Sequence, residues 1–368
     1  MAKRIPVKYE EKFSYDIVIE NSYENLPKEL EVFSIHNKKL CIVTETNVKD
    51  FYVDEMMSLL QPYAKEVIVF TFQAGESHKN LDTIQSLYQV LIEHKFERTD
   101  MLLALGGGVT GDLTGYAAAT YLRGIDFVQL PTSLLAQVDS SIGGKTGVDF
   151  QSYKNMIGAF YQPKLVYMNL HTLDTLPKRE YFSGMGEIIK HGLIKEKAYY
   201  KWLQTHLSQI KEREFSVLEE MIERSCQIKR EVVERDPKEK GERALLNFGH
   251  TLGHAIEKLM NFSLLHGECV ALGIVASSYI SYKRNYISIE ELKEIEQIVT
   301  DLSLPVRLQR TESLTEDIII ETSKNDKKME HEVIKFILVK ECGNAYIDKT
   351  VTKEEMKDAL SYILTSCS

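Results

Sequence analysis

Cysteine is scarce in this sequence, and the few cysteines are scattered along the chain. There are five among 368 residues, Cys41, Cys226, Cys269, Cys342 and Cys367, and no two of them form a Cys-x-x-Cys pair. Disulfide scaffolds and cysteine-based zinc modules both require dense, regularly spaced cysteines. The sequence therefore predicts reduced thiols in a cytoplasmic protein, and we assign no cysteine to a metal or to catalysis.

Long apolar runs and an excess of positive charge are also missing. No segment approaches the roughly 20 apolar residues that cross a bilayer, and the sequence MAKRIPVKYEEKF at the start lacks the apolar core of a secretion signal. With 45 Lys and Arg against 54 Asp and Glu, the net charge is −9. Phosphate backbones and anionic lipids do not attract an acidic chain, so we expect neither a nucleic acid nor a membrane as partner.

The remaining composition, 43% apolar and 27% charged, is typical of a globular protein, and 368 residues predict two domains. Residues 1–177 alternate short apolar runs with helical patterns, which predicts an α/β domain with a mainly parallel, Rossmann-like sheet. Residues 178–368 predict a mainly α-helical domain. The boundary near Pro177 rests on this change of pattern, because the chain has no low-complexity linker.

The predicted elements follow this division. In the first domain, strands are predicted at residues 40–44, 66–72, 101–105, 126–130 and 165–170, and helices at 50–63 and 81–95. In the second domain, helices are predicted at residues 181–194, 198–207, 214–235, 250–260, 266–285 and 289–302. A late β-hairpin is predicted from residues 332–340 and 345–348.

Four glycines within six residues follow the apolar run at residues 101–105. After a strand, such glycines let the backbone turn tightly, so that the N–H groups opening the next helix face a pyrophosphate. The pattern Gly106-x-Gly108-x-x-Gly111 matches a dinucleotide fingerprint. Plain strand-to-helix turns also produce it, and the acidic residue expected about 20 positions later is not clearly placed. The motif alone leaves both interpretations open.

Histidines at helical spacing form a second motif. His250 and His254 are four residues apart on one face of a predicted helix, and His266 begins the next helix. Histidines and a carboxylate can share a divalent metal, and Glu187, within an apolar stretch rich in small residues, is the best candidate carboxylate. The alternatives are a surface pair of histidines, a hydrogen-bonded core histidine, and a plain Glu187–Lys190 ion pair on a solvated face.

Lysines lie within two glycine-containing segments. Residues 140–147 (SSIGGKTG) and 153–158 (YKNMIG) resemble anion-binding loops, in which small residues expose backbone N–H groups and lysine supplies charge. The glycine spacing excludes a Walker-type phosphate loop. Further cationic candidates are Arg123, Lys190, Lys229 and Arg243. A site that collects several of these cations suits a phosphorylated or carboxylated substrate.

Six motifs stand in a definite order along the chain: GGGVTGD, YLRGIDFVQLPTSLLAQVDSSIGGKTGVD, KNMIGAFYQP, GMGEIIKHG, LLNFGHTLGHAIE and HGECVALG. Together they closely resemble the 3-dehydroquinate synthase family over residues 106–273, with weaker support from both flanks. Six motifs in order are far more specific than the glycine turn alone.

This resemblance implies an NAD-binding α/β domain and a mainly helical domain that binds substrate and a divalent metal, zinc or cobalt. It also implies an active site between the two domains and, usually, a homodimer. Family members convert 3-deoxy-D-arabino-heptulosonate 7-phosphate into 3-dehydroquinate and phosphate, in the shikimate pathway toward chorismate and the aromatic amino acids. NAD oxidises a hydroxyl transiently, which permits phosphate elimination. Reduction, ring opening and an intramolecular aldol closure follow, so NAD has no net turnover.

The resemblance implies site residues as well. The metal ligands would be Glu187, His250 and His266. His254 would lie beside the metal as a polar or proton-relay group. The substrate contacts would be Asp139, Lys145, Asn155, Lys190, Lys229, Arg243 and Asn247. Arg123 would reach the phosphate, in one arrangement across the dimer, and Lys328, or Lys327 in the neighbouring register, would add a contact. The NAD contacts would be Glu45, Asn47, Glu76, Lys79, Gly107, Gly108, Asp112, Thr132, Ser133, Leu135, Asp139, Lys145, Lys154 and Thr175.

Three positions depart from the commoner family pattern. Glu45 stands where Asp is usual, Ser133 replaces a frequent Thr, and Gly186 stands where Ala is common before the metal-binding Glu. The changes preserve the chemistry.

Three other functions compete with the synthase. A 2-deoxy-scyllo-inosose synthase-like cyclase would share the metal triad, but that branch has an altered SSIGGKTG segment and an acidic residue in place of Asn247. A metal-dependent polyol dehydrogenase would release NADH stoichiometrically, whereas the lysines and Asn155 suit a phosphorylated acid better than a neutral polyol. A regulatory protein without catalysis would not require the intact set of catalytic candidates.

Overall fold

A computed structural model describes residues 2–151, 153–261, 263–325 and 335–365. The chain forms two compact units. The first unit comprises Met1–Leu176 and Lys229–Pro237, and the second comprises Pro177–Ile228 and Lys238–Ser368. Within the described residues, no helix has both the length and the apolar character that a membrane span requires.

A seven-stranded sheet organises the first unit. Its strands and those of a small hairpin are β1 (Lys3–Tyr9), β2 (Lys12–Glu20), β3 (Lys39–Glu45), β4 (Glu66–Phe72), β5 (Met101–Gly106), β6 (Asp126–Pro131), β7 (Lys145–Phe150), β8 (Tyr153–Phe160) and β9 (Leu165–Asn169). The order in the large sheet is β1-β2-β9-β6-β5-β3-β4, and every pair except β1–β2 is parallel. The five predicted strands and the parallel sheet are confirmed.

Helices cover both faces of this sheet. They are α1 (Leu26–Glu31), α2 (Thr46–Leu60), α3 (Leu81–Glu93) and α4 (Gly108–Thr120). Along β3, Leu40 and Ile42 join one apolar core, while Cys41 and Val43 join the other. A strand that is buried on both faces needs a continuous apolar sequence, which is why the central strands were recognisable.

The two segments expected to be anion-binding loops are partly strand: residues 145–147 lie in β7 and residues 153–158 in β8, while residues 141–144 form a turn. Whether they bind an anion stays a prediction. Lys145 pairs with Phe160 and Gly147 with Gly158 in an antiparallel hairpin of β7 and β8. A Cβ at Gly158 would lie 2.3 Å from the carbonyl oxygen of Thr146. Gly147 and Gly158 therefore allow a close approach of two backbones, whereas Gly143 and Gly144, with φ of 98° and 65°, lie in the turn before β7.

Helices dominate the second unit. They are α5 (Lys178–Lys195), α6 (Lys197–Thr205), α7 (Leu207–Lys211), α8 (Phe215–Arg235), α9 (His250–Leu259), α10 (His266–Lys283), α11 (Ile289–Asp301), α12 (Glu316–Asn325) and α13 (Lys353–Ile363), and the last turns of α8 are grouped with the first unit. Short strands are β10 (Leu308–Gln309), β11 (Phe336–Glu341), β12 (Asn344–Asp348) and β13 (Leu364–Thr365). The six predicted helices correspond to α5, α6, α8, α9, α10 and α11. The hairpin of β11 and β12 is confirmed, and residues 332–334 of its prediction lie outside the described residues.

Candidate active site

Three helices of the second unit bring the predicted metal-binding side chains together. Glu187 lies in the middle of α5, His250 and His254 lie in the first two turns of α9, and His266 opens α10. Both α5 and α10 are buried along most of their length. Apolar and small residues on nearly every side let these helices pack within the core, so the polar side chains they carry must find partners there.

Glycines set how closely these helices pack. A Cβ at Gly186 would lie 2.7 Å from the carbonyl oxygen of Gly267, and a Cβ at Gly273 would lie 1.7 Å from that of Gly249. The backbone of α10 therefore touches both α5 and the start of α9. This contact explains why residue 186 is glycine where alanine is common in the family. A Cβ at this position would push α5 and α10 apart.

Glu187 and Lys190 form a completely buried pair. Their side chains are 0% and 1% exposed, and the ammonium group contacts Oε2 of the carboxylate. The alternative of an ion pair on a solvated face is therefore wrong. The other oxygen, Oε1, lies 3.5 Å from Nε2 of His250 and 3.3 Å from Nε2 of His266. One carboxylate thus divides its two oxygens between a cation and two imidazole nitrogens.

The electrostatics keep Glu187 ionised. Burial alone would raise the pKa of its carboxyl group, but nearby cations, Lys190 first among them, outweigh burial and hold that pKa well below its usual range. Burial lowers the pKa of His250 well below its usual value, so that ring is neutral. Its Nδ1 lies 3.1 Å from the carbonyl oxygen of Phe248. Because a carbonyl only accepts, Nδ1 carries the hydrogen and Nε2 presents a lone pair to the carboxylate.

Nε2 of His250 and Oε1 of Glu187 face each other across 3.5 Å, and both present lone pairs. Two such atoms are suited to bind a metal cation between them. His266 completes the donor set, since its Nδ1 lies 3.4 Å from Oε2 of Glu257 and its Nε2 faces Glu187. Burial lowers the pKa of His266, but the two carboxylates outweigh burial and raise it to about 10. Nε2 of His250 and Nε2 of His266 thus face the same carboxylate oxygen. The residues therefore fit a divalent cation.

His254 belongs to the same group of rings. Ligand nitrogens of His250, His254 and His266 all lie within 4.8 Å of one another, and the His254 ring centroid is 4.9 Å from that of His250. The structure therefore brings together the full set of predicted metal-site residues of the second unit.

The glycine turn of the first unit has the strand-to-helix context that its motif requires. Gly107 precedes α4, and Gly108 is the first residue of that 13-residue helix. The N–H of Thr132, just after β6, donates to the carbonyl of Gly106 at 2.9 Å. A Cβ at Gly107 would lie 3.5 Å from Oγ of Ser133. The carboxyl ends of β5 and β6 thus meet beside the N-terminus of α4. Leu135 follows Ser133 by two residues in the sequence.

A buried lysine links several predicted NAD contacts. Nζ of Lys79 lies 2.6 Å from Oδ2 of Asp112 and 2.5 Å from Oδ1 of Asn155, while Lys154 pairs with Glu76 at 3.2 Å. Burial would lower the pKa of Lys79, but Asp112 and Glu76 outweigh it and raise that pKa. The charged ammonium group therefore fixes the α4 carboxylate and the Asn155 amide together.

The predicted adenosine-side contacts lie after β3. The carboxylate of Glu45 accepts from the N–H of Asn47 at 2.6 Å and caps α2. Burial raises the pKa of Glu45 despite this hydrogen bond. The hydroxyl of Thr175 hydrogen-bonds to that of Tyr52 in α2. Thr175 therefore contacts the helix that Glu45 caps, although it is distant from it in sequence.

The remaining predicted contacts have separate settings. Asp139 accepts from Lys229, with Oδ1 and Nζ 2.5 Å apart. Asn247 donates to Glu239 at 2.7 Å, and Arg243 of the same short helix is buried. Lys145 and Arg123 are exposed in the first unit, and Lys327 and Lys328 lie outside the described residues.

Sequence reasoning missed several polar residues that hold these groups. They are Tyr52, Asp149, Glu239 and Glu257. The carboxylate of Asp149 accepts a hydrogen bond from the N–H of Asn155 at 2.8 Å. Glu257 had a signal, because it follows His250 by seven residues and so lies two turns along the same helix face. The other three had none, since their partners come from separate segments.

Known proteins match this chain along most of its length. Family models described as 3-dehydroquinate synthase N-terminal and C-terminal match residues 69–183 and 184–329. The curated 3-dehydroquinate synthase of Acetivibrio thermocellus is 43% identical over 343 residues, which is 93% of this chain and 94% of that protein. That of Ruminiclostridium cellulolyticum is 44% identical over 333 residues, 90% of this chain and 92% of that protein.

Solved structures share the fold. ValA, the 2-epi-5-epi-valiolone synthase of Streptomyces hygroscopicus with NAD⁺ and Zn²⁺ bound, is 26% identical with a TM-score of 0.88, covering 98% of this chain and 99% of that one. A 2-deoxy-scyllo-inosose synthase is 24% identical with a TM-score of 0.86 over the same shares.

The parallel sheet, the glycine turn and the histidine–carboxylate site together define a protein of the sugar-phosphate cyclase class. These enzymes act on small phosphorylated sugars. Within this class, the chain belongs to the 3-dehydroquinate synthase family. It is therefore a phosphate-eliminating, ring-closing lyase, and the family predicted from the six motifs is confirmed. The roles of individual residues stay predictions.

Proposed function

We propose that this chain converts 3-deoxy-D-arabino-heptulosonate 7-phosphate into 3-dehydroquinate and phosphate, with catalytic NAD and one zinc or cobalt ion. Relatives at 43% and 44% identity support the reaction, and ValA with its NAD⁺ and Zn²⁺ supports the cofactors. The observation that carries the proposal is the position of Glu187 Oε1, which faces one nitrogen of His250 and one of His266.

Glu187, His250 and His266 would hold the metal, and His254 would lie beside it as a polar or proton-relay group. When bound, the metal favours ionisation of the hydroxyl that is oxidised, and NAD takes up and returns a hydride. Lys190 neutralises the Glu187 oxygen that faces away from the histidines, so the buried carboxylate stays ionised. Three protein ligands leave coordination positions open for substrate hydroxyls.

Cations would bind the anionic groups of the substrate and stabilise phosphate as it leaves. Lys190, Lys229 and Arg243 are 1%, 5% and 3% exposed, and a desolvated cation interacts with an anion more strongly than one in bulk water. Asp139 orients the Lys229 ammonium group. The other substrate contacts in this proposal are Arg123, Lys145, Asn155, Asn247 and Lys328.

The NAD contacts are assigned to the domain of residues 1–177, and metal and most substrate contacts to residues 178–368. Gly107 and Gly108 would bring backbone N–H groups to the pyrophosphate at the start of α4. Lys79 and Asp112 would define one wall of this site, since their ion pair fixes both side chains. Glu45, whose carboxylate caps α2, would contact the adenosine side.

We further propose that the chain is a homodimer. Four apolar side chains of the β7–β8 hairpin, Phe150, Tyr153, Met156 and Phe160, are 43%, 48%, 46% and 46% exposed. We call them the hairpin patch. A concentrated apolar patch on one hairpin supports a protein contact. A cytoplasmic location is also proposed, supported by four free cysteines among the described residues.

The proposal is tested with the purified full chain, 3-deoxy-D-arabino-heptulosonate 7-phosphate and catalytic NAD, with and without a chelator. Phosphate release, 3-dehydroquinate and NADH are measured together. We expect phosphate release that requires metal, a stoichiometric yield of 3-dehydroquinate and no accumulating NADH. Glu187→Gln should abolish release, and the exposed control Glu294→Gln should retain it.

Other outcomes would redirect the assignment. Turnover of glucose 6-phosphate instead would move the chain to the 2-deoxy-scyllo-inosose synthase branch. Stoichiometric NADH would indicate a polyol dehydrogenase. Phosphate release that is insensitive to the chelator, or to Glu187→Gln, would overturn the metal site.

A further inference from the structure

Glu257 is a buried carboxylate without a role in the function proposed above. Its side chain is buried in α9, and its residue is 4% exposed. The Oε2 atom lies 3.4 Å from Nδ1 of His266, at the opposite end of the ring from Glu187. Burying a charged carboxylate is costly unless it is paired, so this position requires a reason.

The reason lies in the two ends of the His266 ring. A carboxylate oxygen only accepts, so Nδ1 of His266 must donate its hydrogen to Glu257. That hydrogen bond fixes the tautomer and leaves Nε2, 3.3 Å from Glu187 Oε1, as the nitrogen available for a metal. His250 is arranged in the same way, but its Nδ1 partner is the neutral carbonyl of Phe248.

We propose that Glu257 is a positioning residue that orients the His266 ring and makes its Nε2 a stronger metal ligand. The inference rests on the metal site of the proposed function. A negatively charged partner on Nδ1 increases electron density on the ring, and a neutral carbonyl does so less. Outer partners of this kind contribute about 10- to 100-fold to metal affinity. Of the two proposed histidine ligands, His266 is thus the one whose affinity for the metal depends on a charged partner at Nδ1.

The test uses the full chain, stripped of metal and titrated with Co²⁺ against a competing chelator. Glu257→Gln keeps the length and an acceptor oxygen but removes the charge, and Glu257→Leu removes both. We expect Co²⁺ affinity to fall about tenfold for Gln and about 100-fold for Leu. The visible absorption of bound Co²⁺ should change as well, because its ligand geometry changes.

The matched control is Glu316→Gln, which removes another buried carboxylate of the same unit. Glu316 is 8% exposed and pairs with Arg310 and Ser361 rather than with a histidine. Its Co²⁺ affinity and spectrum should equal those of the wild type. A general loss of packing would lower metal affinity in both variants and would overturn the assigned role.

Glu187→Gln separates this inference from the function on which it rests. If Glu187→Gln abolishes Co²⁺ binding while Glu257→Gln binds as tightly as the wild type with the same spectrum, the role of Glu257 is wrong and the metal site stands. If Glu187→Gln itself binds normally, the metal site fails. If Glu257→Leu does not fold, the Co²⁺ affinity and spectrum of Glu257→Gln are sufficient to decide the role of Glu257.

Discussion

The buried pair of Glu187 and Lys190 decides the chemistry of the second unit at the scale of single residues. An ammonium and a carboxylate that are 1% and 0% exposed give up their water, which costs several kcal/mol for each ion. Their mutual attraction only partly offsets that cost, so such a pair is a weak source of stability. It is retained because it keeps one oxygen of Glu187 charged and aimed at two histidines.

We expect Lys190→Met to destabilise the metal-free chain by about 3–5 kcal/mol, because it removes the buried ammonium partner of the Glu187 carboxylate. The double variant Glu187→Gln/Lys190→Met should lose less than the sum of the two single variants. Chemical denaturation followed by circular dichroism measures these losses.

The control is Lys201→Met, which breaks a pair with Glu294 whose side chains are 49% and 48% exposed. That change should stay within about 1 kcal/mol. Equal losses for Lys190→Met and Lys201→Met, or strictly additive losses in the double variant, would mean that burial of the pair is not important for stability.

At the scale of elements, the sequence predicted those strands and helices whose own residues show a clear apolar pattern. The apolar runs of β3 and β5 and the long periodic pattern of α10 reveal their elements because each is buried along its own length. The hairpin of β7 and β8 was missed, because its glycines lower strand propensity and their close approach exists only once the strands pair. The strand β1 was missed because alternating polar residues leave only two of its apolar side chains buried. The strand β2 was missed although its run Ile17, Val18 and Ile19 is buried.

The site shows the same limit. The order of motifs predicted that Glu187, His250 and His266 act together, and the distances agree. Glu257 was not predicted, because its partner lies on the next helix and the contact depends on how α9 packs against α10. Neither spacing nor composition encodes that packing.

Arg284 joins three elements of the second unit. It follows α10 and donates two hydrogen bonds to Glu355 of α13, at 2.6 and 2.9 Å, and one to Asp348 of β12 at 2.9 Å. Charge-assisted, bidentate hydrogen bonds are among the stronger ones. We expect Arg284→Met to lower stability at neutral pH by about 2 kcal/mol, measured by chemical denaturation.

The loss should depend on pH in a definite direction. Hydrogen bonds from Arg284 lower the pKa of Glu355, and Thr350 and Arg284 together outweigh burial to lower the pKa of Asp348. Carboxylates with lowered pKa values stabilise the fold above their unfolded pKa values, which are about 4. That contribution disappears as the pH falls through the folded values. The gap between Arg284→Met and the wild type should therefore shrink below about pH 4, and a gap that stays constant with pH would contradict this account.

At the scale of the whole molecule, an acidic chain buries several of its cations. The net charge is −9, yet Lys79, Lys190, Lys229 and Arg243 are all at most 5% exposed. Buried cations suit a small anionic substrate, because a desolvated cation attracts an anion more strongly than one in bulk water. The distribution of charge, more than its sum, agrees with an enzyme that acts on a sugar phosphate.

The hairpin patch makes the proposed homodimer testable. If two copies meet through these side chains, Phe150→Ser/Met156→Ser removes four large apolar groups from a two-fold interface. At about 1.5 kcal/mol for each group, the dimer should weaken more than about 10³-fold. Sedimentation of the variant at micromolar concentration should show monomers where the wild type shows dimers. The matched control is Phe51→Ser/Ile92→Ser, whose positions are 59% and 64% exposed on α2 and α3 of the same unit, and it should stay dimeric.

Activity measured on the same samples adds the contribution of Arg123. If Arg123 reaches the phosphate of a partner's substrate, phosphate release should fall together with the dimer fraction as the variant is diluted. A monomeric variant with full activity would confine the whole site to one chain. A variant that stays dimeric would place the interface elsewhere, and a monomeric wild type would overturn the homodimer itself.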